Sequence, residues 1–400
     1  MDNIFKTYNR IVEMVDCSFH RYIYNQIEWN DRMIGIKGAR GVGKTTLMLQ
    51  HINQHFPDRS KALYVSLDNL WFSQHTLSEL VEYHYTHGGT HLFLDEVHRY
   101  THNPWPQELK NIYDSYPDYH LCFTGSSLIE IDNAIADLSR RCRLYDLRGL
   151  SFREYLIMEG VGDYGVVELE QVLSSHSQIA SSVAAKIKVL PHFERYIRHG
   201  FYPFYHEMDE LGYLNRVEQV ISTVIENDIP AVERIEFDTV AKTKQLLMIL
   251  TERVPFTLNV SMLCGTLGIT RNQLLRLMHL LERASIIRQM YTAKSSNFKA
   301  MVKPEKILFD NTNIMFALGN KAESGTVRES FVANQLSIKH KLSQPTVGDL
   351  NVDGLYILEV GGAGKGFAQI SNVPNSYVVA DGIEIGAGNK IPLWLFGMLY

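Results

Sequence analysis

The sequence predicts an α/β protein with a parallel sheet, on three observations. A short apolar run, residues 33–36, leads into Gly38-Ala39-Arg40-Gly41-Val42-Gly43-Lys44-Thr45 and then into a helical stretch, residues 46–52. About fifty residues further on, a second apolar run ends in the paired carboxylates Asp95-Glu96. Residues 61–68 and 119–127 read as two more strands.

The first of these stretches fits Gly-x-x-x-x-Gly-Lys-Ser/Thr in its strand–loop–helix context. Glycines let backbone N–H groups turn inward around a phosphate without Cβ clashes. The following helix offers its N-terminus to an anion. Gly38, Arg40, Gly41, Val42, Gly43, Lys44, Thr45 and Thr46 are therefore the expected nucleotide-binding residues. Lys44 reaches the outer phosphates, and the Thr45 hydroxyl is a ligand for Mg²⁺. ATP and Mg²⁺ are the expected cofactors.

Length and composition bound the rest. Four hundred residues exceed one ordinary core, so two or three domains are expected. A hydrophobic content of 45% with 21% charged residues is that of a globular chain rather than a disordered one. The net charge of −5 is uneven: residues 240–310 carry eleven Lys/Arg and four Asp/Glu, so a basic segment of +7 sits in an acidic chain. That points equally to an anionic partner and to a face balancing the acidic domain. Cys17, Cys122, Cys142 and Cys264 have no metal or redox spacing, and Cys122 reads as a buried thiol. The N-terminus lacks a signal-peptide core. A cytoplasmic, reduced chain with no membrane span is expected. The apolar run at residues 391–400 is too short to cross a bilayer and reads as a segment packed into a core.

In chain order, residues 3–24 read as a helix with Ile4, Tyr8, Ile11 and Val15 on one stripe. The run ending in Asp95-Glu96 reads as a strand delivering two carboxylates to the phosphate loop. Asp95 is expected to hold Mg²⁺, and Glu96 to orient the attacking water. The strand at residues 119–127 carries a polar tip, where Thr124, Ser126 or Ser127 is placed to sense phosphate or to cap the next helix.

Five stretches together resemble an AAA-type P-loop ATPase family of bacteria and archaea. They are Gly-Ala-Arg-Gly-Val-Gly-Lys-Thr-Thr (38–46), Leu-Asp-Glu-Val-His (94–98), Thr-Gly-Ser-Ser (124–127), Leu-Ser-Phe-Arg-Glu-Tyr-Leu (150–156) and the tract at residues 105–114. The resemblance implies a sheet in which the Asp95 strand lies between the Thr124 strand and the second strand. It also implies that Arg141, in Arg140-Arg141, matches the family's arginine, which can stabilise charge on a transferring phosphoryl group. The bland reading is that these arginines pair with the acidic surface. Residues 193–203 resemble a further segment of the family and suggest a helical lid. Arg195 and Arg198 there are expected to be structural.

Residues 238–310 read as helix, helix, turn, helix and hairpin, the winged-helix plan. The third helix, capped by Thr270, would present Arg271, Asn272, Gln273 and Arg276 to phosphates and base edges of DNA. Winged helices serve equally as protein-binding modules. Residues 325–400 resemble the nuclease-like domain that accompanies this family, related to PD-(D/E)xK enzymes. The resemblance places Glu329, Asp349 and Glu359 at acidic positions. Gly361 stands where the lysine belongs, with Lys365 four residues after it. An inactive, recruited nuclease fold is the leading expectation, and a metal-dependent nuclease with a migrated lysine is the alternative.

The expected architecture is thus an AAA-type nucleotide domain (1–156), a helical region (157–237), a winged helix (238–310) and a small restriction-endonuclease-like domain (311–400). The expected function is an ATP-hydrolysing switch. Its alternatives are an ATP-gated DNA-binding regulator, a nuclease, and a switch acting on an unidentified protein client.

Overall fold

The computed structural model describes every residue except 1, 101–103, 126–137, 139, 233–236, 253–255, 258, 293–303 and 320–322. The chain forms two compact units, Met1–Gly149 and Leu150–Tyr400.

The first unit is built on five strands: β1 (Met33–Lys37), β2 (Ala62–Ser66), β3 (His91–Asp95), β4 (His120–Gly125) and β5 (Arg143–Asp146). All pairings are parallel, in the order β2-β3-β4-β1-β5. β3 lies between β2 and β4, as the resemblance implied. Strands β1 to β4 are nearly continuous apolar runs because both faces of a parallel sheet are covered. Gly35 on β1 is required by close packing: a Cβ there would lie 2.5 Å from Leu144 Cδ2. Among the described residues four helices accompany the sheet: α1 (Asp2–Met14), α2 (Lys44–His55), α3 (Leu77–Thr86) and α4 (Trp105–Ser115). A reciprocal cap between Thr76 and Glu79 starts α3. The helix expected over residues 3–24 stops at Met14. Its buried stripe runs Ile4, Tyr8, Val12, while Ile11 and Val15 are only half-buried.

The second unit begins with helices α5 (Phe152–Met158), α6 (Leu169–Ala184), α7 (Val189–His199) and α8 (Glu210–Thr223), the last continuing into a π-helical turn at Val224–Asp228. Arg195 and Arg198 meet Glu159 and Glu210. Next come α9 (Phe237–Glu252), β6 (Phe256–Thr257), α10 (Val260–Leu267), α11 (Arg271–Arg283), β7 (Ile287–Met290) and β8 (Lys306–Phe309). The three strands pair antiparallel in the order β6-β8-β7. After α12 (Thr312–Leu318) and α13 (Ser324–Leu336), a mixed sheet closes the chain. It comprises β9 (Leu342–Ser343), β10 (Leu350–Val352), β11 (Tyr356–Gly361), β12 (Ser376–Ala380) and β13 (Lys390–Pro392). β9, β10 and β11 are antiparallel neighbours, while β11, β12 and β13 run parallel. The final apolar segment is a buried 3₁₀ helix, Leu393–Met398, as its composition required. The Ser151 hydroxyl and Arg153 Nε donate to the Tyr400 carbonyl at 2.8 and 3.1 Å.

Candidate functional site

The phosphate loop lies where β1 passes into α2. Gly41 and Gly43 adopt left-handed φ values of 85° and 98°, which only glycine takes without strain. A Cβ on Gly38 would sit 2.2 Å from the Leu147 carbonyl oxygen, so that glycine is fixed by the chain leaving β5. The Lys44 ammonium turns back into the loop and donates to the carbonyls of Gly38 and Ala39 at 2.8 and 2.9 Å. A cation only 5% exposed and held by backbone carbonyls of its own loop suits an anion entering among them. Thr46 is exposed on the first turn of α2, and Arg40 is half-buried in the loop.

Asp95 ends β3 beside this loop and is 3% exposed. Its Oδ2 accepts from the hydroxyls of Thr45 at 2.5 Å and Tyr64 at 3.0 Å. Its Oδ1 accepts from the Thr124 hydroxyl and from the Glu96 N–H at 3.1 Å. Every donor is neutral, so the carboxylate is oriented without being neutralised. Burial, followed by the Asp95 charge, pushes the Tyr64 phenol well above its ordinary range and keeps it a donor. Thr45 and Asp95 thus present oxygen ligands side by side, the chemistry that suits Mg²⁺.

Glu96 holds a left-handed backbone, φ 54° and ψ 45°, uncommon for a residue with a side chain. Its carboxylate is 20% exposed, with Oε2 3.3 Å from Nε2 of the fully buried His98 side chain and 3.9 Å from Nη1 of Arg40. Thr45, Asp95, Glu96 and Thr124 are brought together, whereas Ser126 and Ser127 lie outside the described residues.

Three contributors escape a reading of the sequence. Tyr64 and His98 hold the two carboxylates. Arg21 ties the loop to the chain beyond β5, donating to the carbonyls of Val42 at 2.5 Å, Arg148 at 2.7 Å and Gly149 at 2.8 Å. The phenol beneath Asp95 had a signal, a tyrosine in the neighbouring strand. Arg21 had none, since its partners are backbone groups up to 128 residues away.

Arg141, the arginine the resemblance singled out, stands away from the phosphate loop of its own chain. Arg141 precedes β5, and the register Ile34↔Arg143 puts it at the edge of the sheet where the strands begin. The phosphate loop occupies the edge where they end. Arg141 instead makes a two-pronged pair with Asp114, both bonds 3.0 Å, beside the Tyr113 ring. Arg140 is exposed.

In the second unit, Glu329 on α13 is buried and paired with Lys306 of β8. Burial raises its pKa and Lys306 opposes the rise, with the Asp349 charge a smaller contribution upward. Asp349 Oδ2 accepts from the Val360 N–H at 2.7 Å. Glu359, 2% exposed, is paired with Lys365, whose ammonium also donates to Gln369 at 2.9 Å. A Cβ on Gly361 would lie 2.7 Å from Lys365 Cγ, so the glycine makes room for that lysine. Among the described residues no group of three or more His, Cys, Asp or Glu side chains is arranged to hold a metal.

On α11, Arg271, Asn272, Gln273 and Arg276 are exposed. The Gln273 side chain folds back on the helix start, where its oxygen accepts from the Thr270 N–H at 2.8 Å and hydroxyl at 3.0 Å. As a free base contact Gln273 is therefore corrected: its acceptor closes a capping box.

Residues 30–156 match the model of the AAA domain family, and residues 190–324 match a domain of unknown function (DUF8612). The chain is 28% identical over 326 residues to the uncharacterized protein MJ1637 of Methanocaldococcus jannaschii, an alignment covering 78% of this chain and 66% of that protein. Among solved structures, the Thermotoga maritima RuvB Holliday junction branch migration motor aligns at 16% identity, TM-score 0.32, over 76% of this chain and 96% of that one. AMPPCP-bound DnaA from Aquifex aeolicus aligns at 14% identity, TM-score 0.28, over 68% and 86%. The family match and the five-stranded parallel sheet give this chain an AAA-type P-loop domain.

Proposed function

We propose that the chain is an ATP-hydrolysing switch whose phosphate loop binds ATP with Mg²⁺. The observation that carries this reading is the convergence on Asp95 of Thr45 from the loop, Tyr64 from β2 and Thr124 from β4, with Glu96 next in line. Thr45 and Asp95 would hold Mg²⁺, which when bound supplies charge neutralisation at the phosphates. Lys44, released from its loop carbonyls, would bind the outer phosphates. The Glu96 carboxylate would accept a proton from a water and aim it, while His98 fixes the rotamer of that carboxylate. Thr124, through Asp95, would keep the metal-binding oxygens in place.

Glu96→Gln is expected to slow hydrolysis by about 100-fold or more while ATP still binds. Lys44→Ala should lose binding. A Glu96→Gln protein that turns over ATP at the wild-type rate would sink the mechanism.

A second reading adds DNA as the object of the switch. The order α9-β6-α10-α11-β7-β8 supports a winged-helix reading, the segment carries +7, and Arg271 and Arg276 are exposed on α11. Duplex DNA binding that weakens steeply with salt and disappears in Arg271→Ala/Arg276→Ala supports it. Absent or salt-insensitive binding removes it. The nuclease-like reading of residues 311–400 is proposed in its inactive form, since Lys306 and Lys365 occupy the carboxylates a metal would need. Among the described residues no helix is long and apolar enough to cross a membrane. A cytoplasmic setting remains part of the proposal.

A further inference from the structure

We propose that a cleft between α1 and α3, separate from the phosphate loop, binds a phosphate group carried on a flat ring, which is the chemistry of a nucleotide. The cleft is about 430 Å³, a size that suits an organic ligand and exceeds what a bare phosphate needs. Its position sets it apart. Ser60 and His87, on its rim, precede β2 and β3, whereas Asp95 and the loop follow β3 and β1. In a parallel sheet these are opposite edges, separated by about 16 Å of strand.

Its lining is cationic although the chain is acidic. Lys6 on α1 pairs with no carboxylate among the described residues. Among the described residues Arg59 hydrogen-bonds through Nη1, which donates to the carbonyls of Ile52 at 2.8 Å, Phe56 at 2.9 Å and Asn53 at 3.5 Å. No Asp or Glu belongs to the described lining. Of the two acids adjacent in sequence to lining residues, Asp58 accepts from the Ser60 N–H and hydroxyl at 3.0 and 2.6 Å, and Glu82 accepts from the Tyr116 hydroxyl. Two cations in one lining, one of them a guanidinium, suit a phosphate.

The same cleft offers flat apolar surface. Tyr83 and His87 stack at 4.1 Å and 24°, and Phe5 faces Tyr83 at 6.1 Å. His87 Nδ1 donates to the Tyr83 carbonyl at 2.7 Å, which fixes the ring and leaves Nε2 for a ligand. The floor is rigid. His84 Nε2 donates to the Ser60 carbonyl at 3.1 Å, so its Nδ1 accepts from the Tyr119 hydroxyl at 2.6 Å. Burial holds His84 neutral, its pKa down to about 4. A Cβ on Gly89 would strike that ring at 2.2 Å, so the glycine keeps the floor in place. Stacked rings beside a cationic rim are the combination by which proteins hold single nucleotides or strand ends.

The test is calorimetric titration of the full chain carrying Lys44→Ala, which removes the ATP site, with uridine 5′-monophosphate and with 5′-phosphorylated pentathymidine. Saturable binding is expected, weakened about tenfold by adding Lys6→Glu and similarly by His87→Ala. Neither position is buried, so folding is preserved. Binding of the mononucleotide identifies a free-nucleotide site, and binding of the oligomer alone identifies a strand end. Failure of both probes to bind below about 1 mM overturns the proposal. So does binding that Lys6→Glu and His87→Ala leave unchanged. Because Lys44 is already absent, neither result bears on the hydrolytic reading.

Discussion

Asp95 and Glu359 are both carboxylates on strands with at least one parallel neighbour, and they are 3% and 2% exposed. Around Asp95 stand three hydroxyls and one backbone N–H, all neutral. Glu359 meets the ammonium of Lys365, and nearby Glu329 meets that of Lys306. Burying a carboxylate costs several kcal/mol unless it is compensated. Neutral donors offset part of that cost and leave the full negative charge in place. A lysine cancels the charge from within the chain. The first arrangement suits a cation from solution, whereas the second already holds its own. The contrast explains why similar acidic residues support a catalytic reading in one unit and a structural one in the other.

Breaking one internal pair gives the largest expected effect. Lys306→Met leaves Glu329 buried without its counter-ion and should cost about 3–5 kcal/mol of unfolding free energy, read from urea denaturation of the second unit. Lys306→Met with Glu329→Met should recover most of that loss, because an apolar pair of similar volume needs no solvation. The comparison fails if Lys306→Met alone is neutral. Asp95→Asn, by contrast, keeps one acceptor oxygen, and hydroxyls such as those of Thr45 and Tyr64 can turn to accept from its new amide N–H groups, so it should lose hydrolysis at a smaller cost in stability.

The two sites also differ in how much of them can be read from the sequence. The phosphate loop is local: glycine spacing, lysine and threonine fall within nine residues, and short-range backbone geometry follows from them. Asp95-Glu96 was legible because an apolar run predicts a buried strand, and a strand has a direction. Tyr64 was not, because alternation within one strand does not reveal which atoms of its neighbour it faces. The α1 stripe was placed partly out of phase, since Ile11 and Val12 are equivalent until the surface they cover is known. The Lys306–Glu329 pair joins β8 to α13 across 23 residues, and no motif brackets it. Lys365 was anticipated only as a displaced lysine. The room left by Gly361 explains how it reaches Glu359 from four residues further along the chain.

Arg141 sharpens the comparison from the other side, with a smaller effect on the isolated protein. Residues that precede a strand in a parallel sheet face away from the edge where the strands end, so Arg141 does not complete the Asp95 site of its own chain. Its pair with Asp114 is solvent-exposed and contributes little to folding, so Arg141→Ala should leave the urea midpoint unmoved. If the arginine instead serves a neighbouring copy, specific ATPase activity rises with protein concentration in the wild type and stays flat in Arg141→Ala. Mixing Arg141→Ala with Glu96→Gln then restores turnover that neither shows alone, because the intact Glu96 of one copy meets the intact Arg141 of the other. A mixture as inactive as its parts would leave Arg141 a surface residue, and the nucleotide site would have to manage the phosphoryl charge with Lys44, Arg40 and Mg²⁺ alone.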